Sequence, residues 1–240
     1  MNLKNKIVNS GLFKIAFISI IFGMLATTVP LKSQPDSVYD CPDGFVKIPN
    51  QLVTVIIGGD TCQYRVGLCV KCPAGPYPIP FTVRLAQFEP YPDSCGIDFV
   101  QAMDSIIAII TDPDWIDANI SQDCFAGWGP CEYGKYTSVY PHSPICWRKC
   151  KYLDESYVVH MCYVACSDEE CVCEREDLVC WNGSDFERII GVWYRKNGCS
   201  PGPCASTLEG EETDPPDPTP QNPEPTFSNC FGFPGGPCNP

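Results

Sequence analysis

Histidine is scarce in this sequence: only two of its 240 residues are histidines, His142 and His160. Because histidine is the side chain that most often transfers protons near neutral pH, the chain has few residues suited to acid–base catalysis. The H-E-x-x-H motif of zinc proteases and the G-x-x-x-x-G-K-[ST] motif of phosphate-binding loops are absent. We therefore predict no catalytic centre. An extracellular hydrolase is the third-ranked alternative, since 29 acidic residues allow a carboxylate pair by chance.

Long hydrophobic runs are also missing. The apolar segment at residues 15–29 is shorter than the roughly 20 residues that a membrane-spanning helix needs. It is preceded by Lys4, Lys6 and Lys14 and by no acidic residue, which is typical of a secretory signal peptide. We predict that residues 1–33 form this signal peptide; the alternative is an uncleaved signal anchor.

Basic residues are outnumbered, with 16 lysines and arginines against 29 acids and a net charge of −13. Removal of the predicted signal peptide takes away four lysines and no acid, which makes the mature chain still more acidic. Such a surface repels nucleic-acid phosphates and anionic lipid headgroups, so we expect no nucleic-acid partner and no membrane contact beyond the signal peptide. An extracellular protein or glycan is the expected partner.

Cysteine is abundant, with 18 residues, all of them downstream of residue 40. A reducing cytosol would keep these thiols free, whereas an oxidising compartment pairs them as disulfides. Cys69 and Cys72 form a C-x-x-C motif. Redox-active motifs of this kind lie at the start of a helix, whereas this one lies at the end of a predicted strand, so a structural role is favoured. The sequence predicts a secreted or cell-surface protein that disulfides hold together.

The composition divides the mature chain into three parts. Residues 41–204 hold sixteen cysteines and form the predicted disulfide-rich β domain, which could consist of two sub-units, about 41–124 and 125–204. Residues 205–229 are rich in proline and acids and are expected to be a disordered, extended spacer. Residues 230–240 form a short tail with the last two cysteines.

The predicted fold class is β-rich, a small α+β arrangement of disulfide-stapled antiparallel hairpins with one amphipathic helix at about 95–110. Residues 52–57 and 63–72 flank Gly58-Gly59 and predict the first hairpin. Asp112-Pro113 ends the helix and can begin a second short one. Further strands are predicted at the following residues: 81–88, 136–140, 146–166 as a hairpin, and 186–196 after a turn at Asn182-Gly183.

Four cysteines lie in the hairpin predicted at 146–166. With its tip at Asp154-Glu155-Ser156, Cys146 faces Cys166 and Cys150 faces Cys162, all on one side of the sheet. Directly opposed residues are close enough for a disulfide, so Cys146–Cys166 and Cys150–Cys162 are the predicted pairs. The alternative is that each thiol bonds to another layer of the fold.

The two tail cysteines, Cys230 and Cys238, are expected to close a small loop on each other. Because an extended spacer of this length reaches far from the body, they could instead cross-link neighbouring molecules, which would give self-association through the tail.

One acidic cluster is a weak candidate for a calcium site, since Ca²⁺ prefers six to eight oxygen ligands. The alternative is a charged stretch that is simply solvated. The candidate ligands are Asp168, Glu169, Glu170, Glu174, Glu176 and Asp177. No other cofactor or metal is expected.

Several aromatic residues stand beside prolines in predicted loops, which fixes the rings and favours binding at low entropy cost. The binding candidates are Tyr77, Tyr91, Trp128 and Tyr140. The alternative is that these rings fill the core. His142 is expected in a loop, and His160 is expected opposite Tyr152 with a half-buried structural role.

These observations favour a secreted or cell-surface structural or interaction protein without a catalytic centre. A carbohydrate- or protein-binding module that uses the proline-flanked aromatics is the second interpretation.

Overall fold

The computed structural model describes residues 38–73, 80–91, 98–121, 123–125, 127–166, 172–196 and 214–232. The predicted signal peptide lies outside these residues, so the structure does not bear on it. Among the helices that the structure describes, none is long and apolar enough to cross a membrane.

The prediction of a β-rich fold is confirmed, and the described residues contain twelve strands and two α-helices. The helices are α1 (Phe99–Ile110) and α2 (Pro113–Asn119). The strands are β1 (Val46–Ile57), β2 (Asp60–Lys71), β3 (Phe81–Tyr91), β4 (Thr137–Pro144), β5 (Cys146–Leu153), β6 (Val159–Ala165), β7 (Val172–Glu174), β8 (Asp177–Trp181), β9 (Phe186–Ile189), β10 (Tyr194–Arg195), β11 (Thr226–Phe227) and β12 (Phe231–Gly232).

All the strands belong to one branched sheet, with β3 at the branch point. β3 pairs with β2 along one side. On its other side it pairs in parallel with β4 over Phe81–Arg84 and antiparallel with β6 at Gln87–Phe88. One branch continues from β4 to β7 and β8, and the other from β6 to β5. Strands from both predicted sub-units therefore share this single sheet.

The first hairpin has the turn that the sequence predicts. Gly58 and Gly59 have φ angles of 62° and 97°, which glycine adopts without strain. Both strands are longer than expected: β1 begins at Val46, and β2 begins directly after the turn at Asp60. The expected inward face of β2 is buried, as is shown by Cys62, Tyr64, Val66, Leu68 and Val70.

The other face of β2 and β3 is buried as well, which the alternating pattern does not predict. The helices cover one face, where the α1 residues Met103 and Ile106 join the main core. Residues 38–41 cover the opposite face, where the Tyr39 ring packs on Gly67 so closely that a Cβ there would lie 2.4 Å from it. A larger residue at position 67 would therefore displace the Tyr39 ring.

The predicted helix begins later than expected, at Phe99 and not at Cys95. Its N-cap is Asp98, whose carboxylate accepts hydrogen bonds from the amides of Val100 and Gln101. The second short helix is also present, with Asp112 as its N-cap and Pro113 in its first turn. Local capping residues therefore determine where both helices begin.

The 146–166 hairpin has the predicted register, in which Trp147 pairs with Ala165 and Cys150 with Cys162. Its tip is closed by Asp154, whose carboxylate accepts hydrogen bonds from the amides of Ser156 and Val158. His160 stands opposite Tyr152, and the two rings stack.

The second predicted strand of the Asn182-Gly183 hairpin is divided in two. β9 pairs with β8 across a four-residue turn at 182–185, in which the Asn182 side chain accepts from the amides of Ser184 and Asp185. The chain then leaves β8, and β10 pairs with β7. The side chain of Asn182 favours this wider turn over the predicted two-residue one.

Residues 214–232 lie along β5, so this part of the predicted spacer does not lead away from the body. Residues 205–213 of the predicted spacer lie outside the described part of the chain. β11 and β12 pair with β5 at Lys151 and Trp147, respectively. The Lys151 ammonium bridges Asp214 and Asp217 at 3.0 and 2.8 Å. Asp214 and Asp217 thus have a cationic partner on the domain. An argument from the composition of the segment alone does not include such a partner.

All thirteen cysteines in the described part of the chain are in disulfides. Five pairs are resolved among them: Cys41–Cys69, Cys72–Cys124, Cys131–Cys180, Cys150–Cys162 and Cys166–Cys230.

The structure contains the predicted Cys150–Cys162 pair, whose Cα atoms are 5.0 Å apart. The other two predicted pairs are wrong. Cys166 does lie beside Cys146, whose carbonyl accepts its amide, but it bonds instead to Cys230. Because β12 brings the C-terminal segment to this end of β5, Cys230 is within reach of Cys166 and does not close a loop with Cys238.

Candidate functional site

A group of four hydrogen-bonded polar side chains lies where β4, β7 and β10 meet. We call it the His142 cluster and define it by His142, Glu174, Tyr194 and Lys196. His142 pairs with Glu174 across β4 and β7, and Tyr194 pairs with Glu174 across β10 and β7. Three strands that are distant in sequence thus place these side chains together.

Glu174 is the centre of the cluster. Nε2 of His142 donates a hydrogen bond to its Oε2 atom. The Tyr194 hydroxyl donates to Oε1 at 2.6 Å, and the Lys196 ammonium donates to Oε2 at 2.8 Å. The carboxylate is therefore held by three donors, one of them charged.

The protonation states follow from burial and from these bonds. Burial lowers the pKa of His142 more than the neighbouring Glu174 raises it, so the imidazole is neutral at pH 7. Burial alone would raise the pKa of Glu174, but hydrogen bonds from His142, Lys196 and Tyr194 hold it at about 2. The bond to Glu174 and burial raise the pKa of Tyr194 to about 12.

This geometry corrects the expectation that His142 lies in a loop. His142 is in β4 and only 6% exposed. Pro141 and Pro144 flank it, and prolines seldom occur in an inner strand, which is why the sequence does not predict a strand there. The imidazole is thus buried inside the sheet, with its Nε2 atom bonded to the Glu174 carboxylate.

Glu176 lies beside the cluster and is exposed. Its Oε1 atom accepts hydrogen bonds from the hydroxyls of Ser138 and Tyr140 at 2.9 and 2.8 Å. The structure thus brings together one binding candidate, Tyr140, and two calcium candidates, Glu174 and Glu176.

A second group surrounds Asp177, whose side chain is fully buried. Arg175 and Arg188 bind its two oxygens at 2.8 and 2.6 Å, and the amide of Gly191 donates to Oδ1. Arg188 also donates to Thr111 at the end of α1. Asp177 therefore connects the β8–β9 hairpin to the helix layer.

These contacts bear on the predicted calcium site. Glu174 is occupied by Lys196 and Asp177 by two arginines, so neither carboxylate has the excess negative charge that a calcium ligand set provides. Asp168, Glu169 and Glu170 lie outside the described residues.

One other group in the described chain has metal-ligand spacing, namely Cys131, Cys180 and Glu187, with ligand atoms within 4.8 Å of one another. The two cysteines are joined as a disulfide and have no thiolate to offer.

A third polar group is buried on the face that residues 38–41 cover. Arg65 contacts Glu89 at 2.5 Å, and Tyr152 donates to the other oxygen of that carboxylate at 2.7 Å. All three side chains are at most 2% exposed. The group links β2, β3 and β5 and is shielded from solvent, which indicates a structural role.

The aromatic binding candidates are not assembled into one surface. Tyr91 ends β3, whereas Tyr140 pairs with Thr82 near its start, so about nine residues, or roughly 30 Å, separate them along the strand. The Tyr91 ring stacks under the guanidinium of Arg65. Tyr77 lies outside the described residues.

Trp128 is half-buried and packs against the main core. Its indole donates to Asp117 at 2.8 Å, and its ring packs against Phe125 and Phe186. Of the binding candidates, the ring of Trp128, in a glycine-bearing loop, thus contributes to the core.

One sequence pattern also bears on catalysis: Gly198–Gly202 reads G-x-S-x-G. The nucleophile elbow of α/β-hydrolases has this pattern, between a buried parallel strand and a helix. Here the preceding strand is β10, a two-residue antiparallel strand with exposed side chains, and the pattern itself lies outside the described residues. The strand before this pattern therefore differs from the strand that precedes the hydrolase motif.

No family model, curated protein or solved structure matches this chain.

Proposed function

We propose that the protein is an exported structural or interaction component that works outside the cell and has no catalytic centre. The observation that carries this proposal is the oxidation of all thirteen cysteines in the described residues. Such pairing persists in oxidising compartments, where a disulfide restricts the unfolded chain and resists dilution and proteases.

The placement of the disulfides supports a rigid presenting surface. Cys41–Cys69 fastens the segment before β1 onto β2, Cys72–Cys124 fastens the end of β2 beyond α2, and Cys166–Cys230 fastens the C-terminal segment. Each bond ties a chain segment to the sheet. A surface held in this way loses little conformational entropy when it binds a partner.

The polar groups support a non-catalytic role. The His142 cluster, the Asp177 group and the Arg65–Glu89 pair each satisfy a carboxylate with donors from other strands. These hydrogen bonds and ion pairs hold neighbouring strands together. The separation of Tyr91 from Tyr140 leaves the aromatic binding module as the weaker alternative.

Cell fractionation combined with thiol counting tests the proposal. Antibody detection in the native host is expected to find the mature chain in the extracellular or cell-surface fraction, beginning after the signal peptide. Alkylation of the denatured, unreduced protein followed by intact mass measurement is expected to add no label. A cytoplasmic location, or labelling of many cysteines, would overturn the proposal.

A further inference from the structure

The branched sheet has three outer margins, and they differ in how they are protected. The margin at β5 is covered by β11 and β12 and closed by Cys166–Cys230. A strand edge covered in this way offers few free main-chain groups to another chain.

The margin at β9 and β10 is interrupted. Between these strands the chain turns inward, and the Gly191 amide donates to the buried Asp177. The margin also carries charged residues at Glu187, Arg188 and Arg195. An irregular, charged edge is a device by which proteins discourage strand pairing.

The third margin is β1, and within the described part of the chain it has neither form of protection. Among the described strands β1 pairs only with β2, and the register is regular from Gln51 to Ile57. The chain carries no charged residue between Lys47 and Asp60, in a protein with a net charge of −13. Two large apolar side chains are exposed on this edge, Leu52 at 41% and Ile56 at 71%.

The main-chain geometry of this edge follows from the turn. In a hairpin with a two-residue turn, the flanking pair, here Ile57 and Asp60, is hydrogen-bonded, and hydrogen-bonded pairs then alternate along the ladder. The amides and carbonyls of Leu52, Thr54 and Ile56 consequently face away from β2. These are also the residues whose side chains are exposed.

We propose that β1 is the pairing edge for a second copy of this chain. The two β1 strands run antiparallel about a two-fold axis at Thr54, so that the two sheets join into one. This inference rests on the proposed function, because it names the partner of an interaction component.

The register that the axis imposes explains why a second copy fits. Thr54 pairs with its own counterpart, and Leu52 of each copy pairs with Ile56 of the other. All three pairs are of the hydrogen-bonded kind, which gives about six main-chain hydrogen bonds. The exposed side chains of Leu52 and Ile56 contact each other on one face of the joined sheet. The two-fold axis makes this contact occur twice, as an isologous interface requires.

Charge favours this edge over the remaining surface. Two copies of a strongly acidic chain repel each other, and the repulsion is weakest where an uncharged segment makes the contact. The interface is small for a protein dimer, so we expect a weak, concentration-dependent association.

Sedimentation equilibrium on the secreted chain, purified with its disulfides intact, tests the proposal over about 1 µM to about 1 mM, the range of weak dimers. The average mass is expected to rise from that of a monomer towards twice that value. In the same range, hydrogen exchange at the amides of Leu52, Thr54 and Ile56 is expected to slow with concentration. A mass that stays monomeric throughout this range would overturn the dimer.

Two variants and one control locate the contact. Thr54→Lys places two positive charges opposite each other at the axis. Ile56→Lys removes the apolar contact with Leu52 of the other copy, which occurs twice in the dimer. Each variant is expected to weaken association at least about tenfold. High salt is expected to restore part of the loss in Thr54→Lys, because salt screens the repulsion. Val192→Lys is the matched control, at a side chain that is 83% exposed on the β9–β10 margin.

Circular dichroism confirms that each variant is folded, and Ile56→Lys keeps the test decisive if Thr54→Lys does not fold. Association that survives both β1 variants, or that is lost in Val192→Lys alone, would place the contact elsewhere and overturn the proposal. A monomer that is nevertheless extracellular and fully oxidised would refute only the dimer and leave the proposed function standing.

Discussion

Replacing Glu174 by glutamine removes one negative charge from the His142 cluster and keeps the length and shape of the side chain. The carboxylate accepts hydrogen bonds from His142, Tyr194 and Lys196, which lie on or beside two other strands. Glutamine has a single acceptor oxygen, and its amide group cannot accept from the donor that the second oxygen served. We therefore expect the contacts between β4, β7 and β10 to weaken.

The size of the effect follows from the pKa of Glu174, which falls from its ordinary value of 4.5 to about 2 in the folded protein. A difference of this size corresponds to at most about 3 kcal/mol of stability at pH 7. A carboxylate with a depressed pKa contributes this stability above its ordinary pKa and loses it as the pH falls towards the folded value of about 2.

His142 adds a dependence of the same sign. Its folded pKa is lowered below 6.5, so the unfolded chain takes up the proton first as the pH falls below that value. Stability is therefore lost on acidification through His142 as well. This part is larger in Glu174→Gln, because the carboxylate that raises the pKa of His142 is gone.

Urea unfolding at pH 7, 4.5, 3 and 2, followed by tryptophan fluorescence with the disulfides intact, measures the difference between the two proteins. The free energy of unfolding of Glu174→Gln is expected to be up to about 3 kcal/mol lower at pH 7, and the deficit should shrink towards pH 2. A deficit that is equal at pH 7 and pH 2 would refute the electrostatic reasoning. Glu176→Gln, at an exposed neighbouring carboxylate, is the control and is expected to change stability by less than about 0.5 kcal/mol.

Three further changes test other parts of the structure. Asp177→Ala leaves two arginines without their buried partner and is expected to cost about 3–5 kcal/mol in urea unfolding, and a cost below about 1 kcal/mol would contradict the pairing. Glu89→Gln leaves the buried Arg65 without a negatively charged partner and is expected to lower the free energy of unfolding by a similar amount. Thermal unfolding measures this loss as a fall in the midpoint temperature. The double variant Cys166→Ser/Cys230→Ser is expected to lose about 2–4 kcal/mol and to expose the C-terminal segment to limited proteolysis, whereas unchanged protease resistance would show that the strand contacts alone hold that segment.

The parts of the fold that the sequence predicts correctly are local. Two glycines with positive φ determine the β1–β2 turn, and an aspartate followed by proline determines where α2 begins. The tip at Asp154 sets the register that brings Cys150 opposite Cys162. Each of these features depends on residues close together in the chain, so patterns of spacing and turn chemistry are sufficient to find them.

The candidate site was largely beyond prediction. The sequence shows Glu174 as an acid in a cluster and Tyr140 as a ring beside a proline. Nothing in their spacing connects either residue to His142, Tyr194 or Lys196. Those contacts arise only because β4 lies between β3 and β7 in the sheet. The order of strands depends on long-range pairing, which one sequence does not specify.

The amino-acid sequence by itself determined the chemistry of this protein: an acidic chain rich in cysteine, β-rich, with its turns and helix caps in identifiable places. The tertiary structure alone decided which partners these residues have. Cys230 bonds to Cys166 and not to its neighbour Cys238 because β12 adds to β5, and His142 is buried because its strand lies inside the sheet. The physical reason is that local preferences act over a few residues, whereas pairing and burial depend on segments that folding brings together from distant parts of the chain.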